Sequence, residues 1–98
     1  MEVYTDKRIK KILNNFSTIE KARIEKVVSL FEEKEFRLSE IYLKKLSKNI
    51  WELRPGNIRL LFGVIESQAV IVNVFIKQTA KTPKHEIELA ERRLSDYI

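Results

Sequence analysis

Cysteine is absent from the 98 residues and histidine occurs once. Without a thiol there is no disulfide framework and no thiolate metal site, and a lone imidazole argues against zinc or haem, so neither metal nor cofactor is expected. Apolar runs are short: none approaches the roughly 18 residues that cross a bilayer. The opening MEVYTDKRIKK has no apolar stretch of the signal-peptide kind. The expectation is a cytoplasmic protein with no membrane partner. Internal repeats, low-complexity segments and linkers are missing too. A chain of this length builds one core, so residues 1–98 are read as a single domain.

What is present is charge laid over a strong apolar pattern. Hydrophobic residues make up 44% and charged residues 34%, the balance of a globular protein rather than a disordered one. The net charge of +5 favours polyanionic partners, although many proteins with that surplus bind none.

The first half has helical period. Ile9, Ile12, Leu13 and Phe16 recur at i, i+3, i+4 and i+7 behind Thr5 or Asp6, either of which suits an N-cap. Ser17 and Glu20 then stand three apart, the spacing of a capping box, and predict a second helix that buries Ile24, Val27, Val28 and Phe31. Ser39 is read as the cap of a short third helix through Leu46. From there the period falls to two. Ile50–Arg54, Ile58–Ile65 and Ala69–Lys77 read as strands separated by PGN and ESQ, an antiparallel meander. Both faces of the middle strand are largely apolar, so helices must cover part of each. In KTPKHE, Thr82 suits the N-cap and Pro83 the first position of a last helix, which docks through Ile87, Ala90, Leu94 and Tyr97. Trp51 reads as core.

Two arginines interrupt this apolar half. If Gly56-Asn57 is a two-residue turn, Arg54 opposes Arg59 and both guanidinium groups share a face. Like charges so placed repel, and an anion such as a phosphate would relieve them. With a three-residue ESQ loop, Arg59 opposes Phe75 and Lys77 joins the same face; a two-residue turn at Ser67-Gln68 sends Lys77 to the other. The plainer reading pairs Arg54 and Arg59 with Glu52, Glu66 or helix carboxylates. Lys81 and Lys84 read equally as loop lysines, His85 as a solvated first-turn residue and Tyr97 as packing.

IWELRPGNIRLLF followed by VFIKQTAKTPKHEIELAERRLSDY resembles the HigB-like, phage-derived branch of the RelE/ParE toxin superfamily. Its recurring pattern is a W-E-L-R strand, an arginine on the next strand, and F-x-K-K-T-x-K-T-P leading into a helix with an A-x-x-R repeat. The resemblance implies an α+β domain, with N-terminal helices packed on an antiparallel meander and a helix at the C-terminus. It further implies the toxin of a type II toxin-antitoxin module, an endoribonuclease that cleaves messenger RNA on the ribosome, restrained by a helix-turn-helix antitoxin. Carried onto this chain, Arg59, Lys77 and Tyr97 become catalytic candidates, and Arg54, Lys81, Lys84 and His85 RNA-binding ones. Gln78 departs from the pattern, which commonly has a second lysine there. A non-catalytic binder and a ParE-like inhibitor of DNA gyrase are the alternative activities. The chemistry implied is attack of a 2′-hydroxyl on the adjacent phosphate, which asks for a base, an acid and fixed positive charge. A lysine beside two arginines has its neutral form favoured, which suits proton transfer.

Overall fold

The computed structural model describes residues 1–98. Its chain runs through strand β1 (Glu2–Thr5), helices α1 (Lys10–Asn14) and α2 (Thr18–Lys34), strands β2 (Leu43–Lys45), β3 (Trp51–Leu53), β4 (Ile58–Ile65) and β5 (Gln68–Ile76), and helix α3 (Lys84–Leu94). The strands form one sheet in the order β1-β5-β4-β3-β2. The expected meander is there in β3, β4 and β5, all antiparallel. The sheet as a whole is mixed, because β1 pairs in parallel with β5 from Glu2 opposite Gln68 to Thr5 opposite Ile71.

Helix α2 begins as its sequence dictates. The Ser17 hydroxyl accepts from the Glu20 amide at 3.1 Å, and the Glu20 carboxylate accepts from the Ser17 amide at 2.9 Å. The helix buries Val27 and Phe31 against the sheet. Asp6, one of the two expected caps, accepts from the Arg8 amide, but it opens a short 3-10 turn over Lys7–Ile9 before α1 starts.

The third helix expected from Ser39 is not formed. One turn closes there, with the Tyr42 and Leu43 amides donating to the Ser39 carbonyl. The chain then extends into β2, where Leu43 lies opposite Leu53 and is buried. Pairing with β3 gives Leu43 a core position that a helix running past the sheet edge would not.

Two turns set the register. Pro55-Gly56-Asn57-Ile58 closes with Ile58 N donating to Pro55 O at 3.0 Å, and Gly56 at φ +60° takes the left-handed conformation that costs glycine least. The second turn has Glu66 and Ser67 at its centre, both with positive φ (47° and 69°), and Ile65 lies opposite Gln68. A bulge follows. Leu61 opposes Asn73 while Phe62 opposes Ile71, so Val72 is the extra residue. Its carbonyl accepts from Arg93 at 2.9 Å. The two-residue turn plus the bulge bring Arg59 opposite Phe75, the register expected of a three-residue loop.

Each face of the sheet carries its own core. Under α2 lies the larger, with Phe31, Leu53, Leu60 and Phe62 buried; side chains of this size contribute about 2 kcal/mol each when fully buried. Under α3 lies the smaller, built on Ile50, Leu61, Val70, Val72, Ala90 and Leu94. Gly63 lets α3 sit close: a Cβ there would meet Leu94 Cδ2 at 2.3 Å and the Asn49 carbonyl at 3.0 Å.

Candidate anion-binding cleft

The α3 face is not apolar throughout. Glu52, Arg54, Arg59 and Asn73 all point to it, by alternation from Leu61. Glu52 is completely buried. Its Oε1 accepts from Arg54 Nε at 2.9 Å and lies 3.9 Å from Arg59 Nε. Its Oε2 accepts from the Thr82 hydroxyl. Thr82 is therefore not the helix cap: Pro83 takes the N-cap position and α3 starts at Lys84, one residue later than expected. The carboxylate claims the hydroxyl because a buried charge must be surrounded by donors.

Arg59 is nearly buried, and its Nη1 donates to the carbonyls of Gly56 (2.8 Å) and Ile58 (2.9 Å), tying the guanidinium to the β3–β4 turn. Burial pushes the Arg59 guanidinium below its usual pKa; Glu52 opposes that and Arg54 adds to it. Arg54 uses only its Nε within the chain. No buried side-chain nitrogen or oxygen lacks a partner, so the terminal nitrogens of Arg54 and the Nη2 of Arg59 are open to solvent. Both arginines line a cleft of about 530 Å³, and Arg54 also borders a second hollow beside Lys45 and Trp51.

The segment from Lys77 to Pro83 forms the other wall of that cleft. Lys77 continues the β4–β5 register one step past the strand, its amide donating to Asn57 O at 2.7 Å, and its side chain is exposed at the rim. Lys81 lines the cleft from the loop, where its carbonyl accepts from the Thr79 hydroxyl at 2.6 Å. His85 and Glu86 close the cleft from the first turn of α3; His85 Nε2 lies 3.9 Å from Glu86 Oε2. Asn73, buried on β5, holds Glu86 by donating to its carbonyl and its carboxylate, both at 3.0 Å. Four permanent or lysine cations thus meet two carboxylates, and the surplus is positive.

Of the residues singled out in the sequence, Arg54, Arg59, Lys77, Lys81 and His85 share this cleft, as does Gln78. Lys84 is exposed on α3 and does not line it. Tyr97 does not join the others, contrary to expectation. It lies beyond the far end of α3, about 15 Å along the helix axis at 1.5 Å per residue. There its hydroxyl donates to Asp6 Oδ2 at 2.5 Å and its ring meets Tyr4 edge-on. Glu52 engages the arginines, as the plainer reading expects, yet one carboxylate does not exhaust two guanidinium groups. Thr82, Asn73 and Glu86 were not singled out for the polar work they do. Glu52 and Arg54, two apart on a strand, announce a shared face; nothing in the sequence brings Thr82 or Glu86 to them.

The family model described as "Phage derived protein Gp49-like (DUF891)" matches residues 11–95. No curated protein sequence matches. Among solved structures, the chain is similar to RelE in the archaeal RelE-RelB complex from Pyrococcus horikoshii, at a TM-score of 0.65 and 16% identity over 81% of this chain and 97% of that one. It is also similar to a chain of the RelB-RelE antitoxin-toxin complex from Methanococcus jannaschii (0.58, 17%, 97% and 98%) and to the isolated E. coli RelE toxin (0.56, 18%, 93% and 96%). The match over most of its length places the chain in the phage-derived Gp49-like family, built on the fold of the RelE toxins.

Proposed function

We propose that this protein is the toxin of a type II toxin-antitoxin module and that it cleaves messenger RNA on the ribosome. The observation that carries the reading is the pair of guanidinium groups with unspent donors, facing a cleft whose other wall supplies Lys77 and Lys81. A sugar-phosphate strand is the polymer that answers such a row of donors, since arginine forks match phosphate oxygens. The Gp49-like family match and the RelE fold support the toxin reading.

In this mechanism the 2′-oxygen attacks phosphorus as the bond from phosphorus to the 5′-oxygen breaks, leaving a 2′,3′-cyclic phosphate and a 5′-hydroxyl. Arg59 and Arg54 steady the extra negative charge on the phosphorane, because arginine stays charged at any working pH. Lys77, exposed at the rim, gives its proton to the departing 5′-oxygen, and His85 takes the 2′-proton. Lys81 holds a flanking phosphate. Tyr97 has no part. With no tight acid-base pair in the cleft, the rate depends on the ribosome to align the strand for in-line attack.

An antitoxin partner follows from the same reading. The RelE chains of P. horikoshii and M. jannaschii were each solved in complex with RelB, and a helix-turn-helix protein is the expected restraint here. Gln78 on the cleft wall favours a second reading, a binder that no longer cuts. Mapping the 5′ ends of messages in a translating extract separates the two. Cleavage that requires translation and vanishes in Arg59→Ala and Lys77→Ala supports the enzyme; binding without new ends supports the second reading, and unchanged cutting by both variants refutes the site.

A further inference from the structure

Glu52 is the one fully buried carboxylate at the cleft, and no substrate can reach it. It nevertheless touches three things that must be in place together. One oxygen holds Arg54 and stands beside Arg59; the other holds Thr82, in the loop that carries Lys77 and Lys81. This bond ties the loop to β3; the loop's two ends are held on β5, by the register that ends at the Lys77 amide and by Asn73, which holds Glu86 just past the loop. Engaging Arg54 through Nε, the carboxylate leaves the terminal nitrogens of that guanidinium unspent on a side chain that lines the cleft. It also seats the loop on the arginines from behind.

We infer that Glu52 is the positioning residue of this cleft, setting through Arg54 and Thr82 the spacing between the guanidinium pair and the loop lysines. The inference rests on the message-cleaving function proposed above. Its sign is unusual. Glu52 is a negative charge behind an anion site, so on electrostatics alone its neutralisation strengthens RNA binding and leaves or improves cleavage. If it positions, neutralisation leaves binding as tight or tighter while the chemical step slows, since a displacement of the order of 1 Å costs about a hundredfold in rate.

The test uses the full chain in single-turnover cleavage on programmed ribosomes. Two quantities are read, the maximal rate and the protein concentration that gives half of it. For Glu52→Gln the expected result is a fall in maximal rate of about ten- to a hundredfold, with the half-saturating concentration unchanged or lower. Thr82→Ala, which cuts the loop tie without touching the arginines, should lose rate in the same sense, and Thr82→Ser should recover most of it. In NMR spectra the Arg54 Nε–H signal, shifted by its carboxylate acceptor, should move in Glu52→Gln and stay in Thr82→Ala. Retained maximal rate in folded Glu52→Gln, or equal loss in Thr82→Ser and Thr82→Ala, overturns the inference while wild-type cutting leaves the function standing. Absence of cutting by the wild type overturns the function, and the Arg54 signal then still reports whether the carboxylate holds the arginine.

Discussion

Two arginine-carboxylate clusters stand at opposite ends of α3, made of the same groups in different ratios. At the C-terminal end Asp6 accepts four donors: the amide, Nε and Nη2 of Arg8 and the Tyr97 hydroxyl. The remaining Arg8 nitrogen that bonds, Nη1, goes to Asp96 at 2.8 Å. One guanidinium serves two carboxylates, and that cluster joins β1 to the end of the chain. At the N-terminal end one carboxylate serves two guanidinium groups, and donors are left over. The lesson is that a salt bridge alone does not distinguish a clamp from a binding site. The ratio of donors to acceptors does, together with where the unspent donors point.

The comparison breaks first at Arg59. Removing a preorganised charge donor costs about 10²–10³-fold in a chemical step, so Arg59→Ala should lose that much message cleavage by primer-extension mapping of 5′ ends. Equal loss from disrupting the closed cluster would erase the distinction. There, Asp6→Asn should cost about 2 kcal/mol of unfolding free energy, the order of hydrogen bonds to a buried charge. Urea titration measures the loss, and cleavage per folded molecule should be unchanged. Tyr97→Phe sharpens the contrast at smaller size, with about 1 kcal/mol lost and no change in cleavage; reduced cleavage in a stably folded Tyr97→Phe would return that hydroxyl to the site.

The closed cluster also has a pH signature. Donation from Arg8, the largest influence, holds the Asp6 carboxyl well below its usual range. Its contribution to stability is therefore complete above the ordinary value of 3.8 and is lost as acid protonates it. Burial first, and the bond to Asp6 second, push the Tyr97 hydroxyl up to about 12. That contribution is complete below the ordinary 10.0 and is lost as pH rises through about 12. Denaturant midpoints across pH should flatten at the acid end in the Asp6→Asn protein and at the alkaline end in Tyr97→Phe. The smallest effect is expected at a turn that serves neither cluster: Ser67→Gly, relieving a positive φ of 69°, should gain about 0.5 kcal/mol or less.

Much of this molecule is legible in the sequence where local chemistry decides the outcome. The Ser17–Glu20 box, the Pro55–Ile58 turn and the antiparallel strands β3, β4 and β5 follow from spacing alone. β1 does not, because four residues are too few to establish an alternation, and its partner lies more than 60 residues away. β2 was hidden by the Ser39 turn, which looks like a helix start until Leu43 finds Leu53. At the cleft, strand alternation brings Arg54 and Arg59 together, the bulge settles the side of Lys77 that the loop left open, and the resemblance to a known family adds Lys81. Tyr97 was misplaced because helix length, which sets its distance from the cleft, is not part of a motif. Thr82 was misassigned because a local cap competes with a distant buried carboxylate, and the stronger acceptor wins.

The unpaired Val72 has a consequence out of proportion to its size. Were Val72 paired in the ladder instead of bulged out of it, every side chain after it would change sides. Asn73 would enter the dry layer beneath α2, and the lysine after the strand would swing away from both arginines. Which layer Asn73 and that lysine join hangs on a single residue set out of the ladder.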